Sequence, residues 1–150
     1  MADRLLSCEH AYFVGRSAGY AVAMEGALKL KEVSYLHAEA YSASELKHGP
    51  LALITRATPT LVMIPHDDLF HKNISTIEEI RARQGPVLAV THSGKLPINV
   101  EAAFEIPASE PEVDPILLNI PLQLLAYHVA LKKGCDIDRP RNLAKSVTVE

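Results

Sequence analysis

A three-layer α/β/α sandwich around a mostly parallel sheet is the fold class this sequence predicts, on three observations. Short, continuous apolar runs recur along the chain. Segments of helical periodicity separate them. The runs are apolar throughout rather than alternating, as strands covered on both faces are.

Residues 11–15 (AYFVG) form the first run and end in glycine, which reads as a buried strand. Residues 16–19 (RSAG) turn the chain, and residues 20–37 then carry helical periodicity. Residues 60–64 (TLVMI) are a second strand closed by Pro65. Residues 68–84 make a charged amphipathic helix with Gly85 as its stop signal. Residues 87–91 (VLAVT) are a third strand, and 103–106 a weaker fourth ended by Pro107. Residues 115–133 are a long apolar helical stretch stopped by Gly134. Pro121 is expected to start a new segment within it, because a mid-helix proline loses a hydrogen bond. Sheets of this class bind ligands beyond the carboxyl ends of their strands, where the loop Gly15–Gly19 lies. That loop lacks the Lys-Ser/Thr ending of a phosphate-binding P-loop and reads as a plain strand-to-helix turn.

The 150 residues suit a single domain over 1–150. Hydrophobic residues at 48% and charged residues at 22% are ordinary for a globular chain. No apolar run approaches the ~18 residues of a membrane span, and the N-terminus carries no secretory signature. A net charge of −3 with no Lys/Arg cluster argues against nucleic-acid binding. Cys8 and Cys135 lie far apart without metal-ligand spacing, which reads as two free thiols in a reducing cytoplasm.

On a helical wheel, Tyr20, Ala23, Met24, Ala27, Leu28 and Tyr35 share one face, expected to pack on the sheet. Glu25, Lys29 and Glu32 fall opposite, so two carboxylates flank one ammonium. By spacing alone, a solvated face with an ordinary ion pair accounts for this stripe. Val22, Gly26 and Val33 beside it suggest a second covering, under which a carboxylate and an ammonium tune each other for proton transfer. From Leu122 to Leu131, apolar side chains point all round the helix, which calls for a partner subunit or neighbouring domain.

The stretch EGALKLKEVSYLHAEAYSASELKHGPLAL from Glu25 to Leu53, LQLLAYHVAL, and DIDRPRNLAKSVTVE at the C-terminus resemble the second sugar-isomerase (SIS) domain of the glutamine–fructose-6-phosphate transaminase family. The resemblance runs in order along essentially the whole chain; Ser44 departs from it where glycine is expected. It implies a flavodoxin-like fold and a role in making glucosamine 6-phosphate from fructose 6-phosphate and glutamine-derived ammonia, without metal or organic cofactor. By the same resemblance Lys145 forms a Schiff base with the open-chain sugar, whose protonated imine makes the neighbouring C–H acidic. Glu32 matches the base that moves a proton between C1 and C2, and His48 matches a histidine that helps open the ring in the other subunit, implying a homodimer. Lys29, Glu25 and Ala144 match substrate-contacting positions, and residues 135–150 match the C-terminal active-site loop.

The family's Ser/Thr-rich phosphate loop and its glutaminase domain have no counterpart in this sequence, so the chain is expected to be a fragment, weakly active or inactive alone, whose partners include those missing domains. Two other readings stay open. One is another SIS-type phosphosugar isomerase or deglycase. The other is a non-catalytic sugar-phosphate-binding domain.

Overall fold

In a computed structural model of the chain, which describes residues 1–94 and 99–143, five parallel strands form one sheet in the order β2-β1-β3-β4-β5. The strands are β1 (His10–Gly15), β2 (His37–Ser42), β3 (Thr60–Ile64), β4 (Val87–His92) and β5 (Ala102–Ile106). The helices are α1 (Ala18–Ser34), α2 (Phe70–Arg81) and α3 (Asp114–Lys132). The sheet is thus wholly parallel, as its apolar runs require, because every crossover places covering residues on a face.

Strand alternation divides the core in two. Ala11, Phe13, Leu61, Met63, Leu88 and Val90 point to the face covered by α1 and α3. Tyr12, Val14, Val62, Ile64, Val87 and Ala89 point to the other, covered by α2 with Ile77 and Ile80 and by the 3₁₀ turns Leu46–His48 and Pro50–Leu53. Gly15 sits where α1 leaves the sheet. A Cβ there would collide with the backbone carbonyl of Gly19, so this turn accepts no side chain.

The structure corrects three expectations. α1 stops at Ser34, not near residue 37, because Tyr35 takes a left-handed conformation (φ 59°) and its N–H caps the Lys31 carbonyl. The residues after it form β2, an edge strand that is not among the strands expected from the sequence. The core face of α1 is Val22, Ala23, Gly26, Ala27 and Leu30, while Met24 and Leu28 are 46% and 42% exposed. Gly26 decides this rotation: its missing side chain lets α3 approach, since a Cβ would lie 2.5 Å from Leu122 Cδ1 and 3.1 Å from the Phe13 ring. Finally, α3 runs unbroken through Pro121. An interior proline costs about 3 kcal/mol, and the buried Leu118, Leu122 and Leu125 around it, at about 1.5–3 kcal/mol each, outweigh that.

Candidate active site on α1 and the C-terminal segment

Glu25, Lys29 and Glu32 converge as their spacing dictates. Lys29 Nζ donates to Glu32 Oε2 at 2.7 Å and lies 3.6 Å from Glu25 Oε1. All three are half-exposed, on the flank of α1 rather than opposite its core face. The hydrogen bond from Lys29 to Glu32 raises the lysine above its ordinary value, partial burial opposes it, and the charges of Glu32 and Glu25 add to the rise. Lys29 is therefore a fixed ammonium at neutral pH. It orients one carboxylate oxygen of Glu32 and leaves the other free to accept a proton.

The chain after α3 folds back onto this end of α1. Cys135 Sγ lies 4.0 Å from the Ser34 carbonyl oxygen. Asp136 accepts from the N–H groups of Asp138 and Arg139, which makes a tight turn. The Arg141 N–H donates to Tyr35 Oη at 2.8 Å, and its guanidinium stacks 4.1 Å from the Tyr35 ring centroid. Lys29, Val33, Gln123, Ala126, Tyr127 and Ile137 line a cavity of about 140 Å³ between α1, α3 and this segment. Lys29 therefore stands at the mouth of an apolar niche. Tyr35, Ile137 and Arg141 escaped the sequence reading; the left-handed, non-glycine helix end is the one local signal, and it is visible only in the backbone.

His48 does not join the stripe. It is exposed in the connection after β2, between Leu46 and Leu51, which pack into the core on the opposite face of the sheet from α1. Ala144 and Lys145 lie outside the described residues. Near the motif's one departure, Ser44 Oγ pairs with Ser42 Oγ at 2.8 Å on the surface.

A second polar cluster, unforeseen from the sequence, lies at the carboxyl ends of the strands. The His66 N–H donates to His92 Nδ1 at 3.2 Å, which leaves the ring proton on Nε2 to donate to Asp114 Oδ1 at 2.9 Å. Ser109 Oγ donates to the same oxygen at 2.5 Å. His92 and Asp114 are both buried. With both ring nitrogens engaged, His92 ties four segments together rather than serving as a free base. Among the described residues no group of three or more His, Cys, Asp and Glu side chains could hold a metal ion, and no helix is long and apolar enough to cross a membrane.

Residues 4–133 match the family model described as SIS domain. The isomerizing glutamine–fructose-6-phosphate aminotransferase of Escherichia coli (strain K12) is 53% identical over 152 residues, covering 100% of this chain and 25% of that protein. That of Caldanaerobacter subterraneus subsp. tengcongensis is 53% identical over 141 residues, covering 93% of this chain and 23% of its own. The chain thus spans about a quarter of the length of the curated relatives it matches. Among solved structures, the C-terminal domain of glucosamine-fructose-6-phosphate aminotransferase from Francisella tularensis superposes with a TM-score of 0.87 at 42% identity, covering 92% of this chain and 40% of that one. Glucosamine-6-phosphate deaminase from Thermotoga maritima gives 0.75 at 27% identity, covering 99% and 42%. With its five-stranded parallel sheet, its α1–α3 layer and a match over residues 4–133, this chain belongs to the SIS domain family.

Proposed function

We propose that this chain is the proton-transfer half of an isomerizing aminotransferase that converts fructose 6-phosphate and ammonia to glucosamine 6-phosphate. The observation that carries this reading is the Lys29–Glu32 pair beside the niche closed by the C-terminal segment. Identity of 53% along this whole chain to a quarter of an aminotransferase of that name supports it.

In this reading Lys145 Nζ attacks the C2 ketone of the open-chain sugar and water leaves, giving a protonated imine. That imine withdraws electrons from C1 and makes its proton acidic. Ammonia then adds at C2 and expels the Lys145 amine, leaving the C2 imine of ammonia; the free oxygen of Glu32 takes the C1 proton and returns it to C2 while the C1 hydroxyl proton passes to nitrogen, which gives the C1 aldehyde and the C2 amine with the lysine regenerated. Lys29 steadies the developing charge on the sugar oxygens. Arg141, docked on Tyr35 one helical turn beyond Glu32, anchors the root of the tail. Lys145 follows Arg141 by four positions, a contour length of at most about 14 Å.

His48, on the far face of the sheet, suits a role in a second copy's site, and a homodimer is part of the proposal. So is a preceding domain that grips the phosphate: no Ser/Thr-rich loop follows the strands among the described residues, and the relatives carry three-quarters of their length outside the matched part. The free thiols Cys8 and Cys135 suit a reducing, cytoplasmic setting.

Borohydride reduction in the presence of fructose 6-phosphate, followed by mass mapping, tests the reading. A single adduct at Lys145, absent in Lys145→Ala, is expected. Adducts scattered over surface lysines, or none when a phosphate-gripping domain is supplied in trans, would remove Lys145 from the mechanism. The likeness to a deaminase favours a second reading, release of ammonia from glucosamine 6-phosphate, which a coupled ammonia assay separates from the first.

A further inference from the structure

We propose that His10 and His37 form a two-histidine binding site for a divalent late first-row transition-metal ion, on the face of the sheet opposite α1. His10 opens β1 and His37 opens β2, and they are direct partners in the parallel register. Their Nδ1 atoms lie 3.1 Å apart, with the rings perpendicular at 88°. Two nitrogens bound to one metal at ~2.05 Å are about 2.9 Å apart at a 90° angle and about 3.4 Å apart at the tetrahedral angle. The observed spacing falls between the two, so both nitrogens can reach one ion once their lone pairs turn by roughly 40° from the line that joins them. That rotation is open to both residues, because both are exposed.

The surroundings favour a cation. Glu9 Oε2 lies 4.0 Å from His10 Nε2. Glu39 follows His37 on the same strand face, and with Tyr12, Leu53 and Thr58 it lines a cavity of about 230 Å³ beside the pair. The cavity leaves room for the waters that complete a coordination shell. The other titratable group packed here, Tyr41, donates to Glu39 at 2.6 Å. Tyr12 and Tyr41 are both pushed up, chiefly by burial, so both stay neutral and the carboxylates carry the charge. Imidazole ligands suit Zn, Ni and Cu rather than Mg or Ca. The sheet separates the pair from the Lys29–Glu32 stripe, so this site is independent of the one proposed for the sugar.

Isothermal titration of the 150-residue chain with ZnCl₂ and with NiCl₂ at pH 7.5 is expected to show one saturable ion per chain. Either His10→Gln or His37→Gln is expected to weaken it by at least about tenfold, while His66→Gln leaves it unchanged. Imidazole ¹⁵N spectra of the unaltered protein provide a reading that needs no variant: the Nδ1 resonances of His10 and His37 should move together on adding zinc. No saturable binding, binding that survives either substitution, or shifts confined to other histidines would overturn the proposal.

Discussion

Lys29 is held in a partly exposed ion pair on α1. Its bond to Glu32 holds it charged, yet its side chain is 33% exposed, so the pair contributes only about 0.5 kcal/mol to folding. The lysine is raised on folding. Its contribution is therefore complete below the unfolded value near 10.5 and is lost as pH climbs through the higher folded value. The stability difference between the native protein and Lys29→Met, measured by urea unfolding, should be flat from pH 7 to 10 and vanish above that range. Tyr35 is the other decisive residue. Its left-handed backbone is sparsely populated for a residue with a Cβ, and the Arg141 contacts hold it there. Replacing Tyr35 with alanine should speed tryptic cleavage after Arg141 several-fold with the fold intact by circular dichroism. An unchanged rate would mean that the tail is held elsewhere.

At the scale of elements, two junctions carry the architecture. The turn from β1 into α1 excludes any side chain at Gly15, because the obstacle is backbone and cannot rotate away. Gly15→Ala should cost about 3 kcal/mol in chemical denaturation, whereas at Gly134, where no atom crowds a Cβ and only the left-handed backbone (φ 69°) opposes it, the same change should cost about 1 kcal/mol. The junction of β3, β4 and the β5–α3 connection rests on His92 and Asp114. Removing the histidine strands a buried carboxylate on a single hydroxyl donor, so His92→Ala should destabilise by about 3–5 kcal/mol. A loss below 1 kcal/mol would show that water replaces the imidazole. Neither substitution touches the Lys29–Glu32 pair, so borohydride trapping in folded material should be unaffected.

At the scale of the molecule, α3 presents an unpaired apolar stripe. Ile116, Ile120, Leu124, Tyr127 and Leu131 follow one another at intervals of three and four residues, each 45–65% exposed. The even hydrophobicity seen in the sequence resolves into a buried half and this exposed half. A second copy or a preceding domain is its expected cover in the proposed enzyme. Light scattering should show self-association of the isolated chain that falls in the double variant Ile120→Glu, Leu124→Glu. A chain that is monomeric at high concentration would assign the stripe to the preceding domain.

The central strands β1, β3 and β4 and the parallel character of the sheet were legible in the sequence, because parallel strands buried on both faces are continuously apolar and these three runs have that pattern. The convergence of Glu25, Lys29 and Glu32 was legible too, since spacing of four and three residues on a helix leaves no alternative. The rotation of α1 was not, because a wheel weighs Gly26 as a neutral position. In the folded chain it is the place where two helices meet over Phe13. β2 was hidden for a related reason: an edge strand of alternating His, Glu and Ala carries too little hydrophobicity to announce itself. Its partner, β1, supplies the hydrogen bonds that make it a strand. The sequence alone determined that Glu25, Lys29 and Glu32 meet on one helix, since helical spacing is local. Tertiary structure alone decided where His48 stands, how the tail docks on Tyr35, and which side of α3 is left bare, because those depend on contacts between residues far apart in the chain.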